Sequence, residues 1–140
     1  MRNKIVATAI VVASVFAGSV LAQARTTLRA NVPFEFTVGK VKMPAGLYDI
    51  EAGLASNILV VGSREQKAWT MVLTTPVEIT SNKIEPRLVF RRYGNEYFLA
   101  QVWSTADGAG RILPKSIFEK ELSARSTAGP VETSIAVSAQ

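Results

Sequence analysis

Hydrophobic and polar residues alternate along most of the chain beyond residue 26, with the period of two that is typical of β-strands. The clearest example covers residues 85–103, EPRLVFRRYGNEYFLAQVW. Two runs rich in β-branched and aromatic residues flank Gly94-Asn95, a pair that accepts the positive φ angles of a two-residue β-turn. These features predict a β-hairpin with strands at 87–93 and 97–103. Because neither face of it is cleanly polar, we expect it in the middle of a sheet with one face fully covered.

The same alternation predicts further strands on both sides of this hairpin. They cover residues 27–32, 34–38, 47–52, 58–61, 67–75 and 131–138, with turn residues such as Pro44-Ala45-Gly46 between them. A disordered tail is the alternative for the last segment, because chain ends are often poorly ordered.

One short helix is predicted near the C-terminus, at about 116–124. The sequence SIFE at 116–119 matches the capping box, in which the serine hydroxyl and the glutamate carboxylate satisfy each other's backbone N–H groups. Phe118 and Leu122, four residues apart, would give the helix an apolar edge. Together the elements predict an all-β fold: a single small sandwich or barrel of about eight to nine antiparallel strands with one short helix near the C-terminus.

The N-terminus has the pattern of a secretory signal peptide. Arg2 and Lys4 precede an apolar run at 5–16, and Ala22-Gln23-Ala24 is a cleavage site of the small-x-small type. We therefore expect a signal peptide at 1–24 and a periplasmic or secreted location in a bacterium.

An uncleaved membrane anchor is the alternative reading of this segment, since residues 5–21 are near the lower length limit for a spanning helix. Gly18 and Ser19 interrupt that run and favour cleavage. After cleavage we expect one β-rich domain at 25–140, with no membrane span.

Composition restricts the chemistry that is open to this chain. It contains no Cys and no His, so thiol chemistry, the commonest general base and the commonest transition-metal ligand are all missing. The formal charge is +5, of which Arg2 and Lys4 belong to the predicted signal, leaving +3 for the mature chain. That charge is weak for a nucleic-acid-binding domain, and we expect no nucleic-acid partner.

Three segments resemble a group of small exported bacterial proteins that is common in Acidobacteria and has no assigned activity. The similar residues are NVPFEFTVG at 31–39, MPAGLY at 43–48, and LVFRRYG at 88–94 followed by YFLAQVW at 97–103 and GRILPKS at 110–116. The resemblance implies an exported β-rich domain and supplies no mechanism. Relatives in this group often place a His before the Tyr-Gly of the hairpin, where this chain has Arg92.

Basic and aromatic residues lie close together in the hairpin. Arg91 and Arg92 are near Tyr93, Tyr97 and Trp103, a combination that can stack bases, follow phosphates or bind an anionic sugar. The alternative is cross-strand packing, in which arginine stems cover the rings and the charges stay in water. We favour packing and keep these five residues as candidate contacts for a ligand or partner.

A second candidate is the glycine-rich segment at 107–111, which lies between a predicted strand and the predicted helix. A small anion there would contact Arg111, Lys115 and the backbone N–H groups that follow Ser116. The glycine spacing matches no phosphate-binding fingerprint, so a flexible crossover is the simpler interpretation. The acidic residues are scattered without a calcium-loop pattern, and we expect neither a metal nor a cofactor.

These observations favour an exported, non-enzymatic β-domain with a binding or structural role at the cell envelope. Its partner would be an envelope protein, a glycan or a small molecule. A periplasmic carrier of a small apolar or anionic ligand is the alternative, and it requires a cavity of a few hundred Å³ with apolar walls. A minor carboxylate-based hydrolase is the third hypothesis, and it requires two converging acids. The absence of His, Cys and any catalytic motif argues against an enzyme.

Overall fold

The computed structural model describes residues 27–52, 57–78, 84–104 and 109–139. The predicted signal peptide lies outside the described residues, as do residues 105–108 of the loop before the helix. The first half contains β1 (Thr27–Val32), β2 (Phe36–Val38), β3 (Val41–Met43), β4 (Gly46–Ala52), β5 (Ile58–Ser63) and β6 (Trp69–Leu73). The second half contains β7 (Thr75–Glu78), β8 (Arg87–Tyr93), β9 (Glu96–Ser104), β10 (Ala109–Ile112), α1 (Ile117–Arg125), β11 (Val131–Ala136) and β12 (Ser138–Ala139). The all-β fold class is therefore confirmed, with a short helix near the C-terminus.

The strands form two sheets. The first has the order β12-β1-β4-β5-β6 and is antiparallel throughout. The second has the order β11-β8-β9-β10-β7 and is also antiparallel. The β2–β3 hairpin joins it through a short parallel contact between β2 and the start of β9.

Two strands pass from one sheet to the other. β6 continues through Thr74 into β7, and β11 continues through Val137 into β12. Such strands turn the corners of two-sheet folds. The described body is therefore a sandwich whose sheets are connected at both sides, with one sheet curled into a half-barrel.

The β8–β9 hairpin lies inside the second sheet, as predicted, with its turn at Gly94-Asn95. Gly94 has a φ of +60°, the positive value that a primed turn requires. A β-bulge changes the faces of β9, because Val89 is opposite Gln101 while Phe90 is opposite Leu99. The extra residue lets Leu99 and Val102 both point into the core, which strict alternation would place on opposite faces.

Both faces of this hairpin carry buried side chains. Phe90 is fully buried on the core face, where its ring makes edge contacts with Phe34 and Phe36. The opposite face carries four more residues that are at most 5% exposed: Val89, Tyr93, Phe98 and Ala100. The sequence predicted one covered face, whereas both faces of the hairpin are covered. The burial of both faces explains why neither consists mainly of polar residues.

The side chains between the two sheets form one continuous apolar cluster. Its members come from β1, β2, β4 and β5 as well as from the hairpin, and the largest are Phe36, Tyr48 and Phe90. The Tyr48 hydroxyl donates to the carbonyl oxygen of Pro44, which satisfies the polar end of a fully buried ring.

Replacing Phe90 with Ala should lower the free energy of unfolding by roughly 3–5 kcal/mol, because it removes a fully buried ring from the core. Chemical denaturation of the mature chain measures the change. Phe118→Ala is the matched control, since that ring is 64% exposed and should contribute less than about 1 kcal/mol. Equal effects of the two substitutions would contradict the assignment of the core face.

Candidate functional site

The strand β6 presents a row of large apolar side chains to solvent. Trp69 is 65% exposed, Met71 58% and Leu73 62%, and we call these three residues the β6 row. The alternate residues of the strand, Thr70 and Val72, are half-buried. β6 therefore turns its smaller side chains inward and its larger ones into water, the reverse of the usual arrangement of a half-buried strand.

The β6 row continues onto the neighbouring strand. Ile58 is opposite Leu73 and Val60 is opposite Met71, and both β5 side chains are half-buried. A shallow cavity of about 170 Å³ is lined by Ile58 and Leu73 together with Met71 and Val72. The exposed apolar surface is thus contiguous over two strands, which is a mark of an interaction site.

The β6 row also stands on a free sheet edge. β6 is the last strand of the first sheet, and within the described residues no strand pairs with its outer side. Charged residues occur further along the same face, where Asp49 lies 3.3 Å from Arg29 and 3.4 Å from Arg64. This surface therefore combines an open edge, apolar side chains and a polar border.

A second concave surface lies beside the helix. This groove has a volume of about 330 Å³, within the range of small-molecule sites, and opens to solvent. Its walls are formed by Thr37, Lys40, Lys42, Glu96, Phe98 and Phe118. Lys42 pairs with Glu35 at 3.6 Å, and both side chains of that pair are well exposed. The groove thus combines aromatic rings with ammonium groups.

Two of the residues singled out from the sequence hold the helix on the sheet. The Arg91 guanidinium binds the Glu119 carboxylate in a two-pronged ion pair, through Nε to Oε1 and through Nη2 to Oε2 at 3.0 Å. The Tyr93 hydroxyl donates to Glu119 Oε1 at 3.1 Å. The Glu119 side chain is 2% exposed and that of Arg91 14%, so this is a buried pair. Burial raises the pKa of the Tyr93 hydroxyl, and the adjacent carboxylate raises it further.

The helix contact differs from the sequence expectation in two ways. Ser116 caps the helix by accepting from the Glu119 backbone N–H at 3.2 Å, as the capping box predicts. The Glu119 carboxylate, however, binds Arg91 and Tyr93, because a buried guanidinium is a stronger partner than a backbone N–H. Of the predicted apolar edge, Phe118 is mostly exposed and Leu122 is half-buried, and the buried residue of the helix is Glu119.

Arg92 and Tyr97 form a separate pair on the other face of the hairpin. The Arg92 guanidinium carbon is 5.8 Å from the centre of the Tyr97 ring, and its Nε donates to the Gly94 carbonyl at 2.6 Å. The Tyr97 ring stacks on Phe34 at 3.7 Å between centroids. Arg92 and Tyr97 therefore form the cross-strand packing that the sequence favours for them.

The remaining candidate contact residues lie apart from one another. Trp103 packs on Gly110 of the neighbouring strand, donates to Gln101 Oε1 at 2.9 Å and has the Arg87 guanidinium 5.6 Å from its ring. Arg111 is half-buried on β10, opposite Val102, and makes a contact of its own. Lys115 is exposed just before the helix. The structure does not bring the seven candidates together on one surface.

Sequence reasoning missed the β6 row as a site. The alternation of Trp69, Met71 and Leu73 with smaller residues was visible, but alternation does not say which set faces the core. The inward-facing residues carried a usable signal. Thr70 and Thr74 are threonines, which are seldom core residues, whereas the outward-facing Trp69, Met71 and Leu73 are large and apolar.

No family model, no curated protein and no solved structure matches this chain. In the described part of the chain, the helix is too short and too polar to cross a membrane. Within those same residues, no group of three or more acidic side chains is placed to hold a metal ion.

Replacing Glu119 with Gln should lower the free energy of unfolding by about 3 kcal/mol, because it leaves the buried Arg91 guanidinium without a counter-charge. Thermal or denaturant unfolding measures this loss. Glu121→Gln, on the exposed side of the same helix, should change it by less than about 0.5 kcal/mol. The double variant Arg91→Met/Glu119→Leu should recover most of the loss, and failure to do so would argue against the ion pair as its cause.

Proposed function

We propose that this chain is an exported, non-enzymatic β-domain with a binding role at the cell envelope, and that it docks proteins through the β6 row. The observation that carries this proposal is a contiguous apolar surface on an unprotected sheet edge. Three side chains exposed to this extent offer roughly 300–400 Å² of apolar surface, the size of a functional patch on a soluble protein.

The other sheet ends have features that discourage pairing with a foreign strand, and β6 has none. β7 carries Pro76, β12 has two residues, and β11 carries Glu132. Proteins blunt open edges with proline, short strands and charges, because a free edge is a template for another strand. The contrast supports a role for β6 in binding.

Export is supported by the sequence pattern at residues 1–24 and by the resemblance to exported proteins of Acidobacteria. A non-enzymatic role is supported by the absence of His and Cys. Among the described residues, Glu119 is the buried acid, and its carboxylate is already bonded to Arg91 and Tyr93. No observation favours a carboxylate-based hydrolase.

The groove beside the helix favours a second candidate function, the carriage of a small amphiphilic anion. Phe98 and Phe118 would contact an apolar body, while Lys40 and Lys42 would contact an anionic head. Such a ligand would bind at the surface of the domain, since the space between the sheets is occupied by the apolar cluster.

The docking role predicts that Met71→Arg abolishes binding. The mature, tagged chain would be incubated with its own envelope fraction, and bound proteins would be quantified by mass spectrometry. A charge in the middle of the β6 row should reduce specific capture by at least about tenfold, as loss of a central contact does in protein interfaces. Val131→Arg is the matched control, because Val131 is 61% exposed on a different strand. Equal capture by both variants would contradict docking of an envelope protein at the β6 row.

The carrier role predicts that a straight-chain fatty acid binds the mature chain and that Phe118→Ala weakens this binding by about fivefold to tenfold, because it removes one aromatic wall. Isothermal titration calorimetry measures the affinity. Ile117→Ala is the control, since Ile117 is 65% exposed and does not line the groove. Absence of binding to the unaltered chain at millimolar ligand would exclude this role.

A further inference from the structure

We infer that the partner at the β6 edge is a second copy of this chain, and that the two β6 strands pair antiparallel about a two-fold axis at Met71. This inference rests on the proposed docking role of the β6 row and specifies its occupant.

Hydrogen bonds between β5 and β6 establish which backbone groups are free. Thr74 N–H donates to the Asn57 carbonyl at 2.7 Å, and Ser63 N–H donates to the Ala68 carbonyl at 2.7 Å. In an antiparallel pair the residues of one strand alternate between those bonded to a given neighbour and those pointing away from it. The even-numbered residues of β6 therefore bond to β5. The N–H and C=O groups of the odd-numbered residues, the β6 row, point to the open edge.

These free groups are complementary to a copy of themselves. An antiparallel partner centred on Met71 places Met71 opposite Met71 of the second copy, and Trp69 opposite Leu73 of the second copy. Each of the three pairs can exchange two N–H···O=C bonds, so the contact forms about six hydrogen bonds. The same register sets the Trp69 ring beside a leucine side chain on one face. A two-fold interface requires this kind of self-complementary patch.

The charges along the strand favour this arrangement. Residues 68–75, AWTMVLTT, carry no charge, so the contact brings no like charges together although the chain is basic. The nearest charged residues are Lys67 before the strand and Glu78 after it. In this register the contact ends at Trp69 and Leu73, because Thr75 is already paired with Ile112 of β10, so neither Lys67 nor Glu78 lies within it.

The available surface fits a weak dimer. A specific interface buries about 600–1,000 Å² on each partner. The β6 row has an exposed apolar surface of roughly half that size. Edge pairing covers the flank of this row, and the paired backbone edge adds to the buried area. We therefore expect a dimer with a dissociation constant on the order of micromolar. In this dimer the first sheets of the two copies would form one continuous sheet.

Single-cysteine variants test the register, because the chain has no cysteine of its own. In Met71→Cys the two Cα atoms on the axis would be about 5.5 Å apart, a separation that a disulfide spans. In Leu73→Cys the two positions would be about 14 Å apart along the paired strands, which no disulfide spans. Both positions are exposed on the same strand, so they form a matched pair of variants.

After oxidation at tens of micromolar protein, Met71→Cys should be mostly a linked dimer on a non-reducing gel, and Leu73→Cys should remain monomeric. Sedimentation equilibrium of the unaltered mature chain should show a reversible dimer. Met71→Pro should shift it to monomer, because that substitution removes an edge N–H without touching a bond to β5. Circular dichroism would verify that each variant is folded.

Equal cross-linking of both cysteine variants, or an unaltered chain that stays monomeric up to about 100 µM, would overturn the inference. In the second case, continued loss of envelope capture in Met71→Arg would show that β6 binds a different protein, and the proposed docking role would survive. A dimer together with capture that Met71→Arg leaves unchanged would support the inference and reject the envelope partner at this edge.

Discussion

The two-sided burial of the β8–β9 hairpin is the constraint on which the rest of this structure depends. One face of the hairpin forms the floor of the apolar cluster, and the other buries Tyr93 and Phe98. Burying a strand pair on both sides places the charge of Arg91 in a nearly dry position, where it requires a counter-charge. Glu119 supplies it, so the position of the helix follows from the burial of the hairpin.

The connections between the sheets determine which sheet edge stays open. At one side the chain passes from β11 into β12, and at the other from β6 into β7. The other edge strands of the two sheets are short, charged or interrupted by proline, while the edge of β6 is open and apolar. The groove beside the helix arises separately, where the β2–β3 hairpin approaches Phe118. The buried contacts that stabilise the fold and the surfaces proposed to bind a partner thus lie on different parts of it.

The basic and aromatic residues of the hairpin illustrate how one sequence cluster separates in space. Successive residues of a strand face opposite sides of the sheet, so Arg91 and Arg92 lie in different environments. Arg91 is an internal ion-pair partner and Arg92 covers an aromatic ring at the surface. Neighbours in the sequence are therefore a poor guide to a common site on a sheet: Arg91 and Tyr93 lie under the helix, and Arg92 and Tyr97 on the other face.

Local chemistry in the sequence determined the β-rich fold class, the turn at Gly94-Asn95 and the serine cap of the helix, because each depends on residues that are adjacent in the chain. Three features were decided only by the tertiary structure. The bulge in β9 reverses which residues of that strand face the core. The Glu119 carboxylate binds Arg91 instead of a backbone N–H of the helix. The strand β6 turns its large side chains outward. Each of these features depends on contacts with residues that are distant in the sequence. A period of two determines which residues of a strand share a face, but it does not determine which face is buried.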